Sequence, residues 1–484
     1  MKNTELQHEH VVQPNMSGDD STVAMSQARC NSTCHTKDNQ RLFDTLRQRH
    51  SRFDYCGYSY SRDDDGLHLR FDFRIDEIEF HPTATVENRP FLDFNSANLD
   101  LLVFNIGMVE LVSYWKCACP PQVRVMCGSL DADSLAFWRK LFWHGLGEFF
   151  YTNGISADID SFMKIECTGM PLPQGARHCL ADDYLVPIGG GKDSVVSLEL
   201  LRRAGRKVRP LVMNPRGATI GCAAVAGFPL EEVLVIRRAI DPQLLRLNAE
   251  GYLNGHTPFS AMLAFYTLLA SELAGVRNIA LSNESSANES TVPGSSVNHQ
   301  YSKSIQFEDD FRRYAASMGV ESNYFSFLRP LTELQIASLF SRLDCYHSVF
   351  RSCNAGSKQD VWCGRCAKCL FAYIILSPFI APARLAQIFG KPMLDDLSLQ
   401  PEFDELVGNA PTKPFECVGT VSEVRQALAM AVSRWYGGDL PLLLRGVDAA
   451  SWLCPQRLDC IASEGNLNAF EFDLLRKACS ERTI

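Results

Sequence analysis

Residues 188–201 read IGGGKDSVVSLELL: three glycines, a lysine, an aspartate and a serine lie between an apolar run and a helical pattern. Upstream, YLVPI (184–188) has the length and composition of a strand; downstream, KDSVVSLELLRRAG (192–205) carries apolar residues at helical spacing. The glycine segment is therefore a strand-to-helix turn. Such a turn leaves backbone N–H groups unpaired at the helix N-terminus, and glycines let an anion approach them closely. The alternation continues through KVRPLVM (207–213), EEVLVI (231–236), the helical PFSAMLAFYTLLASELAG (258–275) and RNIALS (277–282). This predicts an α/β fold with a parallel, doubly wound sheet whose ligand binds at the carboxyl ends of the strands, where residues 189–194 lie.

Working outward, residues 1–40 are polar with little periodic hydrophobicity and read as a disordered tail. FDYCGYSYSRDDDGLHLRFDFRIDEIEF (53–80) alternates aromatic and polar positions around a DDDG turn, the pattern of antiparallel hairpins. Residues 98–117 and 134–154 have apolar spacings of three and four and read as helices, completing an N-terminal α+β domain over 41–180. The parallel-sheet domain follows over 181–335, then a helical cysteine-containing region over 336–400 and a C-terminal helical region over 401–484. In that last region 422–453 is a helical run broken at YGGD.

The chain has 484 residues, 46% hydrophobic and 21% charged, with a net charge of −9, the composition of a multidomain globular protein without general attraction to nucleic acid. The best apolar run, LFAYIILSPFIAP (370–382), is interrupted by Pro378 and Pro382 and falls short of the roughly 20 residues a membrane span needs. The first 20 residues lack the apolar core of a signal peptide, so the expectation is a cytoplasmic protein with no membrane partner. The 18 cysteines then belong to a reducing compartment, as small buried groups, metal ligands or reactive thiols. Cys30, Cys34 and His35 lack a fourth partner nearby.

The turn does not fit G-x-x-x-x-G-K-[ST], and G-x-G-x-x-G would need glycine where Ser194 stands. It resembles the SGGxDS loop of the PP-loop ATP pyrophosphatases, with Gly190, Gly191, Asp193 and Ser194 in register and Gly189 in place of the first serine. That resemblance implies ATP cleaved between its α- and β-phosphates, with Mg²⁺ positioned by Asp193, phosphate charge offset by Lys192, and adenine lined by Met213. The departure at Gly189 removes one hydroxyl donor.

SCNAGSKQDVWCGRCAKC (352–369) sets Cys353, Cys363, Cys366 and Cys369 at C-x9-C-x2-C-x2-C spacing. Four thiolates suit a closed, structural tetrahedral Zn²⁺ site. An iron–sulfur cluster could use the same ligands, and a set of reduced buried cysteines is the third reading. The spacing downstream of a PP-loop resembles the cyano-deazaguanine synthases of the queuosine pathway.

Taken together with GLGEFFYTNGI (145–155), NGHTPFSA (254–261), SNESSANESTVPGSSVNHQYSKS (282–304), WCGRCAKCLFAYIILSPF (362–379) and KPFECVGT (413–420), these motifs resemble the MurL-type UDP-N-acetylmuramoyl-L-alanyl-L-glutamate epimerases from about Phe53 onward. The resemblance implies inversion of the terminal L-glutamate of UDP-MurNAc-L-Ala-L-Glu, using ATP and Mg²⁺ and yielding AMP and pyrophosphate. An acyl-adenylate neutralises the carboxylate and makes the α-hydrogen removable by an ordinary side chain. With Lys192 and Asp193, the catalytic candidates are His299 and Lys303, near His256; Cys417 is a thiol alternative, and Asn283, Glu284, Asn288 and Glu289 are candidate contacts for glutamate or Mg²⁺. The alternatives are an adenylating PP-loop ligase or synthase and an inactive nucleotide-binding module; the oligomeric state is left open.

Overall fold

The computed structural model describes residues 37–87, 96–174, 179–453 and 457–481. The tail reading over 1–36, with Cys30, Cys34 and His35, lies outside them. Residues 37–39 are tied down instead: the Lys37 and Asn39 N–H groups donate to Thr152 O and Asn153 O, both at 2.9 Å. A helix follows directly over Gln40–Arg49.

Among the described residues eleven strands form one sheet: β1 (Arg52–Arg62), β2 (Gly66–Ile75), β3 (Ile78–Phe80), β4 (Thr83–Glu87), β5 (Gln122–Val125), β6 (Lys164–Cys167), β7 (Ala181–Pro187), β8 (Val208–Met213), β9 (Leu234–Ala239), β10 (Val276–Leu281) and β11 (Asn323–Ser326). Their order is β11-β10-β7-β8-β9-β4-β2-β1-β5-β6, with β3 on β2. β7 to β11 pair in parallel, and β1 to β4 form the antiparallel hairpins expected from the alternation in 53–80. β4 joins the two parts by pairing antiparallel with β9, Thr83 opposite Ala239 and Val86 opposite Ile236. The sheet is therefore continuous across residue 180. A buried fork reinforces this junction, Arg238 donating to both Glu110 carboxylate oxygens at 2.5 and 2.6 Å.

The physical basis of the strands differs along the sheet. β2 buries Leu67, Leu69, Phe71, Phe73 and Ile75 on alternate positions, as a strand with one wetted face does. β7 buries Tyr184, Leu185, Val186 and Pro187 in succession because helices cover both of its faces. The two faces carry separate cores: Leu185 and Ile279 pack with Phe104, Trp138 and Phe265, while Val186 and Ala280 pack with Leu198, Phe340 and Leu370. The first core rests on the expected helices, Ser96–Trp115, Ala132–Gly145 and Gly147–Asn153, the last two separated at Leu146. The second core rests on Lys192–Arg203, Glu333–Phe340, Ala367–Leu376 and Val421–Trp435.

β7 lies between β8 and β10, so the chain leaves β7 in one direction across the sheet and returns on its other side. Residues 188–191 thus occupy a topological switch point, where the crevice of such a sheet opens.

Candidate active site

The turn after β7 is built to present backbone. Gly190 has φ +82°, and a Cβ there would lie 3.0 Å from the Ala218 Cβ and 3.2 Å from the Thr219 N. A Cβ at Gly189, in contrast, would meet nothing within 4 Å. The helix Lys192–Arg203 has no side-chain cap at Gly191. Its first N–H groups, which have no intrahelical acceptor, together with the helix dipole favour an anion. The Gly190 carbonyl accepts from the Arg351 N–H at 2.7 Å, fastening the turn to the segment that leads into the cysteine cluster.

The turn opens onto a cavity of about 490 Å³. Gly189, Gly191, Lys192, Asp193 and Ser194 line it, together with the apolar side chains of Met213, Leu211 and Phe259. Phe259, the first residue of its helix, is 49% exposed, large for an aromatic side chain beside a pocket. Ser352 and Asn354 and, from the helix Ala367–Leu376, Lys368, Phe371 and Ala372 also line it. Lys192 is buried between carboxylates, 2.5 Å from Asp193 Oδ1 and hydrogen-bonded to Glu333. Burial works against its ammonium, but Asp193 and Glu333 outweigh burial and raise its pKa.

Gln300, Lys303 and Cys417 line the same cavity. Arg329, fully buried, holds the 282–304 loop there by donating to Glu284 O at 2.7 Å and Lys303 O at 2.5 Å. Lys303 Nζ lies 3.1 Å from Cys417 Sγ, and His299 Nε2 lies 3.8 Å from the same sulfur. His299 Nδ1 is 2.5 Å from Glu148 Oε2, which also lies 3.1 Å from His256 Nδ1. These contacts set the charges. Burial opposes the His299 cation, yet Cys417 and Glu148 raise its pKa to about 10. Burial likewise opposes the Cys417 thiolate, and Lys303, Lys368 and His299 hold it well below the usual thiol range. Burial lowers the His256 pKa to about 4, leaving it neutral; burial also opposes the Glu148 carboxylate, but the hydrogen bond and charge of His299 with the charge of Lys116 outweigh it and lower its pKa.

Cys353, Cys363, Cys366 and Cys369 converge beside the cavity wall, with their sulfurs all within 4.8 Å of one another. The separations of 3.5, 3.6 and 3.9 Å match the edge of a tetrahedron whose corners lie about 2.3 Å from a common centre, the zinc–thiolate distance. Cys366 caps the helix Ala367–Leu376 and Cys369 lies within it, so the cluster braces the helix that supplies Lys368 and Phe371.

The structure thus brings Gly189, Gly191, Lys192, Asp193, Ser194, Met213 and Lys303 to one cavity, with Gly190 in the turn that borders it and His299 reaching it through Cys417. Asn283 and Glu284 line the same cavity. Asn288 and Glu289 are turned elsewhere: Asn288 accepts from the Ile305 N–H at 2.9 Å, and Glu289 pairs with Lys413. Glu148, Glu333 and Phe371 were not singled out by sequence reasoning. Glu148 stood within a motif stretch, but its two histidine partners are more than 100 residues away.

This is an α/β protein with a large, mostly parallel sheet, and its crevice joins an anion-accepting turn to a cluster of cations around a thiolate. Comparison with known proteins is specific. The MurL N-terminal domain matches residues 44–327 and the MurL C-terminal domain residues 348–452, so the chain belongs to the MurL epimerase family. It is 37% identical over 368 residues to the UDP-N-acetyl-alpha-D-muramoyl-L-alanyl-L-glutamate epimerase of Xanthomonas oryzae pv. oryzae, covering 74% of this chain and 80% of that one. Proteins of the same name from a Micromonospora species and from Salinispora tropica are each 35% identical, over 76% of this chain and 83% and 81% of theirs. Among the described residues no helix is long and apolar enough to cross a membrane.

Proposed function

We propose that this protein inverts the terminal L-glutamate of UDP-MurNAc-L-Ala-L-Glu to D-glutamate in peptidoglycan precursor synthesis, activating the glutamate α-carboxylate as an acyl-adenylate and releasing AMP and pyrophosphate. The observation that carries this reading is the shared cavity: a phosphate-type turn and a proton-transfer cluster face one space. The activity for which the relatives are named supports the substrate.

The chemistry needs both groups of residues. Deprotonation next to an ionised carboxylate would concentrate two negative charges on one group, whereas an adenylated carboxyl spreads the carbanion charge onto its carbonyl oxygen. In the PP-loop reading, backbone N–H groups of residues 189–194 bind phosphate, and Lys192 stabilises charge developing on it. Mg²⁺ would be held by Asp193 with phosphate oxygens, the hard oxygen donors it prefers, and would screen the phosphate charge. Met213 and Phe259 form the apolar surface suited to adenine. Lys303 and His299 are the candidates for moving the α-proton. For the four cysteines we propose structural Zn²⁺, supported by the sulfur separations.

The test is to incubate the protein with ATP, Mg²⁺ and UDP-MurNAc-L-Ala-L-Glu, then measure pyrophosphate and the chirality of the recovered glutamate. D-Glutamate formed together with pyrophosphate is expected, and Asp193→Ala should abolish both. Pyrophosphate without inversion would indicate an adenylating ligase, and inversion without ATP would refute the adenylate.

A further inference from the structure

We infer that Cys417 is a covalent acyl carrier: its sulfur takes the glutamyl group from the adenylate, so that inversion occurs on an enzyme-bound thioester. The inference rests on the adenylation reading above and extends it.

The geometry is that of an activated thiol. Cys417 Sγ, His299 Nε2 and Nδ1, and Glu148 Oε2 form a relay with contacts of 3.8 and 2.5 Å. Nucleophile, imidazole and orienting carboxylate in that order define acyl-transfer sites on unrelated folds. Lys303 adds a cation 3.1 Å from the sulfur, and Cys417 lines the same cavity as the glycine turn. A half-buried thiol serving only as packing would not draw two cations to itself, because removing charge from water is unfavourable unless the charge is paired. The lowering of the Cys417 pKa agrees with a resident thiolate.

The chemistry gives the thiolate a task. An acyl-adenylate is a mixed anhydride that water attacks readily, so proton exchange on it competes with its loss. A thioester resists water better, while weak overlap between sulfur and the carbonyl leaves its α-hydrogen acidic. The steps balance. The glutamate carboxylate attacks the α-phosphorus of ATP and pyrophosphate leaves. Sγ attacks the carbonyl carbon, the C–S bond forms, the bond to the phosphate oxygen breaks, and AMP departs with the electron pair. One α-proton passes to a side chain and one returns to the opposite face. Water then cleaves the C–S bond, regenerating the thiolate and releasing the D-carboxylate and two protons.

Acylation would also set the timing. Lys303 and His299 are held as cations in part by the anionic sulfur. Converting that sulfur into a neutral thioester removes the anion beside both, so each gives up its proton more readily. A proton acceptor thus arises when the acidified α-hydrogen is in place.

The experiment is rapid acid quench of wild-type protein turning over ATP, Mg²⁺ and UDP-MurNAc-L-Ala-L-Glu, followed by intact and peptide mass spectrometry. Expected is an ATP-dependent adduct of the substrate less one water, mapped to Cys417 and removed by neutral hydroxylamine. Cys417→Ala should lose the adduct and at least about a thousandfold in inversion rate. If wild-type protein releases pyrophosphate and inverts glutamate with no adduct at any quench time, the carrier role is overturned, and a loss in Cys417→Ala would then mark a proton-transfer thiol. Absence of substrate-dependent pyrophosphate from wild type would instead sink the adenylation reading itself.

Discussion

Glu148→Gln tests the relay at its least conspicuous member. Glutamine keeps the shape of Glu148 and removes the charge that His299 and His256 share at 2.5 and 3.1 Å. The His299 pKa, raised from 6.5 to about 10, represents a preference for the imidazolium of about 5 kcal/mol, at ~1.4 kcal/mol per unit. Cys417 and Glu148 contribute through the same kinds of contact, so neutralising Glu148 should remove roughly 2 kcal/mol and lower the midpoint by more than one pH unit. The sign follows from linkage. A raised histidine pKa stabilises the fold fully below its unfolded value of about 6.5, and that stability is lost as pH rises through about 10. Wild-type protein should therefore lose stability across that window, and Glu148→Gln should lose less, its loss beginning at the same pH but ending at lower pH. The assays are urea unfolding at stepped pH and ¹⁵N-histidine NMR titration of His299, with inversion expected to fall roughly 10²- to 10⁴-fold. A variant whose His299 titrates like wild type, with turnover within twofold of it, would refute the relay.

Two further predictions concern the turn and the cysteines. Gly190→Ala forces a side chain onto φ +82° and to within 3.2 Å of the Ala218 and Thr219 backbone, so it should destabilise the protein by about 1–2 kcal/mol in denaturant unfolding. Gly189→Ser has open space and should stay within about 0.5 kcal/mol of wild type; equal stability of both variants would contradict the turn geometry. Elemental analysis should find about one zinc per chain, and Cys366→Ser should reduce it and lower the melting temperature by several degrees. Iron, or no metal in folded protein, would overturn zinc.

The parts of the fold legible in the sequence are those encoded locally. Three glycines before a helical pattern mark the turn whatever surrounds it, and β7 to β10 announce themselves as short apolar runs. The cysteine quartet was readable because most of its ligands fall within one seven-residue stretch. β11, four residues long, and the β4 to β9 junction carry no comparable signal, since pairing across some 150 residues leaves no periodicity in either strand. The same limit explains Glu333 and Glu148. Each lies in the first turn of a helix, where an acidic residue already suits the helix dipole, and neither has a nearby sequence partner to suggest otherwise. Only folding brings Glu333 to Lys192 and Glu148 to the histidines.

The hydrogen bond from the Arg351 N–H to the Gly190 carbonyl has a thermodynamic corollary. Two residues beyond Arg351 stands Cys353, so one stretch of backbone belongs both to the turn that faces an anion and to the sulfur cluster. If a guest at the sulfurs stiffens that backbone and tightens anion binding by some factor, an anion in the crevice must tighten the guest by the same factor. Such a protein would not treat metal supply and nucleotide supply as separate variables: scarcity of either would be felt as weaker affinity for the other.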